Sequence, residues 1–162
     1  MKSSDCRLGC PSDYPIGLHG TCVLVGEVGV ILRGRSGSGK SDLALRLIDG
    51  GAILVADDRI ELIPRDQRVW ARPPAVIAGL LEVRGVGIVR VPWIAEAAVG
   101  LVIDLVATQG AERLPEPAWL ALAGIPVPQL ALAPFEASAV AKVRLAAAAV
   151  SVGTLGQVPG PP

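Results

Sequence analysis

The sequence predicts a single α/β domain of the P-loop type, a mixed β-sheet with flanking helices, and three observations carry that reading. An apolar, β-branched run at 28–33 leads straight into the glycine-rich octapeptide Gly34-Arg35-Ser36-Gly37-Ser38-Gly39-Lys40-Ser41. The octapeptide opens into a stretch of good helix formers, so strand, loop and helix follow in the order that a phosphate-binding loop requires. Beyond it, short apolar runs separated by Gly, Pro and Asp have the punctuation of a sheet, and the length of 162 residues suits one domain.

Element by element, residues 1–17 contain Pro11, Pro15 and Gly17 without any sustained period, and are expected to form a leader. The domain is expected to span 18–152, with a disordered Gly/Pro tail at 153–162. Strands at 21–25 and 28–33 flank Gly26-Glu27 as a hairpin. A helix at 41–49 carries Leu43, Leu45, Leu47 and Ile48 and stops at Gly50-Gly51. The apolar run 52–56 ends abruptly in Asp57-Asp58, and strands at 60–63 and 68–72 surround a turn at 64–67. Residues 79–91 mix strand formers with Gly85 and Gly87, and 99–106 is a strongly apolar strand carrying Asp104. The Pro-rich section 109–134 is expected to be loop, with one short helix at 119–122. A final Ala-rich helix is expected over 135–150, with Lys142 and Arg144 on it.

Charge and hydropathy exclude several classes. Fifteen Lys and Arg balance fifteen Asp and Glu, so there is no basic excess for sequence-independent binding of nucleic acid. A 51% apolar content and a mean hydropathy of +0.53 exclude general disorder. The longest uncharged run, 117–135, is broken by Pro126, Pro128 and Pro134, and the apolar block at 145–152 is far shorter than the roughly 20 residues of a membrane span. No apolar segment of a secretory signal precedes the domain. A soluble, cytoplasmic protein without a membrane partner is therefore expected. The three cysteines Cys6, Cys10 and Cys22 lack paired ligand spacing at both ends and are read as reduced thiols rather than a zinc site.

The octapeptide fits G-x-x-x-x-G-K-[ST] in full, a match expected by chance in well under about 1% of chains of this length. Glycines let the backbone approach a polyphosphate and aim N–H groups at it, and the helix N-terminus adds its dipole. Lys40, one of only three lysines in the chain, would neutralise β- and γ-phosphate charge, and the Ser41 hydroxyl would complete a Mg²⁺ shell. ATP and Mg²⁺ are thus the expected cofactors, held by residues 34–41.

A metal nucleotide also needs an acidic partner at the end of a neighbouring strand. Asp57 and Asp58 stand there, and two adjacent carboxylates diverge, so one can serve the metal while the other faces the attacking group as a general base. Glu82 and Arg84 lie inside an apolar segment, where each charge needs a partner. A metal nucleotide would supply both, Glu82 meeting Mg²⁺ and Arg84 phosphate. His19 alone, ahead of a strand, carries little signal.

Together these segments resemble the catalytic domain of HPr kinase/phosphorylase. The resemblance rests on His19-Gly20, the loop Gly34 to Ser41, Leu54-Val55-Ala56-Asp57-Asp58 and Glu82-Val83-Arg84-Gly85-Val86-Gly87-Ile88-Val89 in this order. It implies a P-loop fold similar to the nucleotide-binding part of phosphoenolpyruvate carboxykinase, and ATP-dependent phosphorylation of a serine of the phosphocarrier HPr. It further implies that the Asp57-Asp58 pair contains the proton acceptor, with Asp58 favoured and Asp57 the alternative. Ser41 and Glu82 would bind Mg²⁺, and Lys40, His19 and the Arg113 of Glu112-Arg113-Leu114 would be catalytic. Family members carry an N-terminal domain of over a hundred residues, so a short form without it is expected. The family's Pro-x-x-x-Gly-Arg-Asn segment reads Pro134-Phe135-Glu136-Ala137-Ser138 here, so the reverse phosphorylase reaction is not expected. A homo-oligomer is expected to cover part of the apolar excess. Two other readings stay open: a P-loop kinase of a small metabolite, and a regulatory module that senses ATP without turnover.

Overall fold

Near-continuous apolar runs, buried on both faces, build the first central strands, and the computed structural model describes residues 14–156 of the chain. β1 (Ile16–His19) begins two residues ahead of the expected domain start, inside the segment read as leader. Cys6 and Cys10, most of that leader and the last six residues lie outside the described part. β2 (Thr21–Val25) and β3 (Val28–Arg33) form the expected hairpin, turned at Gly26, whose φ of 62° is in the left-handed region. α1 (Lys40–Asp49) follows the glycine loop and buries Leu43, Ala44 and Leu47. β4 (Ile53–Ala56), β5 (Arg59–Arg65) and β6 (Arg68–Arg72) come next.

The expected turn at 64–67 is tighter than the sequence signals: only Asp66 and Gln67 turn, at φ 53° and 60°, and Pro64 sits in β5 opposite Val69. β1 pairs with β5 only as far as Leu62, so the proline stands where that edge of β5 has no ladder partner to lose. β7 (Leu80–Val83) and β8 (Gly87–Arg90) make a separate two-stranded ribbon. β9 (Ala97–Leu105) is the long central strand.

The largest departure lies at 109–134. Apart from a single 3-10 turn at Thr108–Gly110 and the segment 111–117, this stretch is a β-hairpin, β10 (Ala118–Leu122) and β11 (Ile125–Leu132), turned at Ala123-Gly124. The short helix expected at 119–122 is strand β10. Pro126 and Pro128 fit because they share one edge of β11, and β9 joins that strand only from Gln129 onward. α2 (Ala139–Ser151) starts four residues later than the sequence predicts, leaving 133–138 free to run over the glycine loop.

The main sheet has the order β1-β5-β6-β9-β3-β2-β4, with β11 also on β9 and β10 at its edge. β3, β9 and β11 are mutually parallel, so their C-terminal ends emerge together, where ligands bind in α/β sheets. One core lies between the sheet and the two helices, with Val30, Leu32, Leu47, Leu101, Ile103 and Val143 in it. The other, around Ile31, Val55, Ile60 and Val102, fills the opposite face. Strand period 2 splits β3 between them. β9 changes face at Gly100, where its register against β3 shifts between Gly29 and Val30. A side chain at Gly29 would stand 2.5 Å from the Ala98 carbonyl oxygen, so the close passage of these two strands requires glycine. The far edge, β4, is covered by 92–94, through Leu54 N–H to the Pro92 carbonyl (3.1 Å) and Ile94 N–H to the Leu54 carbonyl (2.9 Å).

Candidate active site

The glycine loop curls between β3 and α1 with Gly37 at φ 80° and Gly39 at φ 98°, a conformation that residues with a Cβ rarely adopt. At Gly39 the space is also filled, since an added Cβ would come within 2.9 Å of the Phe135 ring. Lys40 is buried, and its Nζ donates to the carbonyls of Gly34 and Arg35, both at 2.8 Å. An ammonium has three donors, so Lys40 braces the loop through two of them with a third left for an anion.

β4 ends at Ala56 and β5 begins at Arg59, which makes Asp57-Asp58 the whole corner between two strands. Asp57 is buried and accepts three hydrogen bonds: Thr21 Oγ1 at 2.9 Å, Ser41 Oγ at 3.0 Å and the Glu82 backbone N–H at 3.1 Å. Asp58 adopts φ 66°, tolerable for Asp, and the turn sends its exposed carboxylate the other way. There it faces His19, Nδ1 to Oδ1, at 3.5 Å. The pairing of β1 with β5 sets this meeting, since His19 lies opposite Arg59 in the register, and the Gly20 N–H ties the corner by donating to the Asp58 carbonyl at 3.1 Å.

These groups line one cavity of about 340 Å³ together with Ser36, Glu82, Arg84 and Phe135. Glu82 and Arg84 are exposed and reach it from the β7–β8 ribbon. His19, Gly37, Gly39, Lys40, Ser41, Asp57, Asp58, Glu82 and Arg84 of the sequence reading are thus brought to one place. Arg113 is not: it is exposed on 111–117 and lines neither this cavity nor a second one beside it. Five lining residues, Thr21, Asp42, Leu45, Val83 and Phe135, escaped the sequence reading. Thr21 gave no signal, since a Thr at a strand start is ordinary, and Phe135 was assigned to a helix.

The oxygen donors fit a hard cation. Ser41 and Asp57 are already joined, Glu82 is adjacent, and Mg²⁺ characteristically takes one or two carboxylates plus phosphate and water rather than a closed protein cage. Among the described residues no cluster of three His, Cys, Asp or Glu forms such a cage. Cys22 is buried in β2, where burial pushes its thiol well up, as for an unreactive core thiol.

Residues 15–148 match the family model of the HPr Serine kinase C-terminal domain. The chain belongs to this family. HPr kinase/phosphorylase of Streptococcus thermophilus is 44% identical over 75 residues, 46% of this chain and 24% of that protein. The enzyme of the same name from Clostridium beijerinckii is 45% identical over 74 residues, with the same coverage. The chain therefore spans about a quarter of the length of the curated relatives it matches. The solved HPr(Ser) kinase/phosphatase of Coxiella burnetii superposes with a TM-score of 0.75 at 25% identity, covering 85% of this chain and 93% of that one. The mixed α/β architecture of the family, with its P-loop kinase-like fold, is the one the sequence predicts. No helix among the described residues is long and apolar enough to cross a membrane.

Proposed function

We propose that this domain transfers the γ-phosphoryl group of ATP to a seryl hydroxyl of an HPr-type phosphocarrier protein, in the cytoplasm, with Mg²⁺ as the metal. One observation carries the reading beyond nucleotide binding: adjacent aspartates are split, one buried against Ser41 and the other exposed toward the cavity beside His19. A module that only senses ATP has no use for the second carboxylate.

In this mechanism the loop of Gly34, Arg35, Ser36, Gly37, Ser38 and Gly39 wraps the phosphate chain and presents backbone N–H groups to it, apart from the Ser38 N–H, which donates to the Arg35 carbonyl at 3.0 Å. Lys40 stabilises charge on its β and γ groups, and Arg84 approaches from the ribbon. Ser41, Asp57 and Glu82 would hold Mg²⁺, which when bound neutralises the β- and γ-phosphate oxygens. Asp58 accepts the proton of the incoming seryl hydroxyl as its oxygen attacks in line, and His19 fixes the carboxylate's direction. Positioning and charge stabilisation supply most of the acceleration. Arg113 would act only on a partner that reaches over 111–117. Without the Gly-Arg-Asn of the 134–138 segment, forward transfer dominates.

Transfer of labelled phosphate from ATP to purified HPr tests this. Lys40→Ala should abolish it, and Asp58→Asn should lower it by at least about a hundredfold, the lower end for a lost general base. Transfer retained by both variants sinks the proposal. ADP release that needs a small metabolite and ignores HPr would establish the metabolite kinase instead. The domain is also taken to work as a homo-oligomer, a reading that a clean monomer in light scattering overturns.

A further inference from the structure

A second cavity, of about 390 Å³, opens on the other side of the glycine loop, within the roughly 300–1,000 Å³ range of small-molecule sites. Its walls come from the ends of all three parallel strands: Ser38 in the loop after β3, Leu105, Thr108 and Gln109 at the end of β9, and Pro134 and Phe135 after β11. The strand order puts it opposite the catalytic corner, because β9 and β11 lie on one side of β3, and β2 and β4 on the other. The two cavities share the Phe135 wall.

Their chemistry is opposite. The first holds Lys40, Arg84, Asp57, Asp58 and Glu82; the second contains no charged side chain. An anionic group there would be desolvated without a counter-charge. A neutral, planar, partly polar group would instead find apolar walls in Leu105 and Pro134, an aromatic ring that is 71% exposed in Phe135, and side-chain donors and acceptors in Thr108 and Gln109. One donor is conspicuous: the Ser38 hydroxyl is buried with no hydrogen-bond partner among the described residues, a state that native structures rarely leave unexplained.

A nucleotide has this polarity, charged at the phosphate end and neutral at the other. With the terminal phosphate beside Lys40 and Asp58, the chain runs along the glycine loop and its other end emerges on the β9–β11 side. We infer that the second cavity receives the nucleoside, with the base against the Phe135 ring and the Ser38, Thr108 and Gln109 side chains at its polar edges. This rests on the proposed phosphate site and extends it to specificity: the domain distinguishes a nucleoside triphosphate from a bare polyphosphate.

Calorimetric titration with Mg-ATP and with Mg-tripolyphosphate tests it on the wild type, Ala107→Trp and Phe135→Leu. Ala107 is exposed and lines only the second cavity, so its indole blocks the space without emptying a core. Both variants should lower ATP affinity relative to tripolyphosphate affinity by about tenfold, the order expected for a lost base–aromatic stack. An unchanged ratio in both overturns the inference while leaving the phosphate site intact. Failure of the wild type to bind either ligand, or binding indifferent to Lys40→Ala, overturns the phosphate site and the inference with it.

Discussion

On the β2–β4 flank of the phosphate loop, direction is set by hydrogen bonds. Asp57 is held by a hydroxyl from β2, a hydroxyl from α1 and an N–H from β7, so three elements fix one carboxylate. On the β9–β11 flank the segment 133–135 that faces the loop is set by packing, with Phe135 against Gly39, and is tied to α1 by Arg46 donating to the Pro134 carbonyl. The difference matches the work assigned to each. Phosphoryl transfer depends on angle and charge, which charge-assisted hydrogen bonds fix, whereas holding a neutral ligand end needs shape and area.

Three substitutions probe this contrast. Asp57→Asn is the most severe, because one acceptor oxygen becomes a donor facing a hydroxyl or an N–H. Transfer to HPr should fall by at least about a hundredfold, and the denaturant midpoint should report a loss of about 2 kcal/mol. A near-wild-type rate would mean that the charged flank does not organise the chemistry. Arg46→Ala frees the 133–136 segment on the other flank. Its guanidinium also pairs with the exposed Asp42, so the tether is partly solvated, and the expected effect is a KM for ATP raised roughly fivefold at constant kcat. A drop in kcat instead would show that the two flanks are not separable. Thr21→Val, nearly isosteric, removes one of three bonds to Asp57. A loss of about 1 kcal/mol in thermal or chemical denaturation is expected, with transfer kept within a few-fold, because Ser41 and the Glu82 N–H still hold the carboxylate.

The same contrast explains what was legible in the sequence. Gly34 to Ser41, Asp57-Asp58, Glu82 and Arg84 could be read because their chemistry demands particular residue types at fixed spacing, and charges inside apolar runs are conspicuous. The uncharged flank could not. Leu105, Thr108 and Gln109 are unremarkable residues that become a wall only when β9 and β11 lie side by side. That pairing was hidden by Pro126 and Pro128, read as loop makers, whose missing N–H groups cost little on the stretch of β11 that precedes β9. Phe135 was assigned to a helix through its Ala-rich sequel, although the helix begins only at Ala139. His19 gained meaning through the β1–β5 register, a non-local fact. Arg113 shows the converse, for a short acidic-Arg-Leu match specified no position and the structure leaves it outside both cavities.

The parallel contact between β3 and β9 bears on how the domain assembles. Arg33, the last residue before the glycine loop, forms a two-bond pair with Asp104 at 2.7 and 3.1 Å, and these partners are 71 positions apart. Gln129 of β11 reaches the same carboxylate. The loop's anchoring strand therefore waits for a distant segment, and closing so long a loop is entropically slow. On a ribosome, a chain that has just exposed Gly34 to Ser41 has the complete phosphate motif and no platform beneath it. Binding competence arrives late and all at once, with β9 and β11. On the proposed reading, ATP already present would then favour only finished molecules, pulling the folding equilibrium by mass action without trapping the nascent ones.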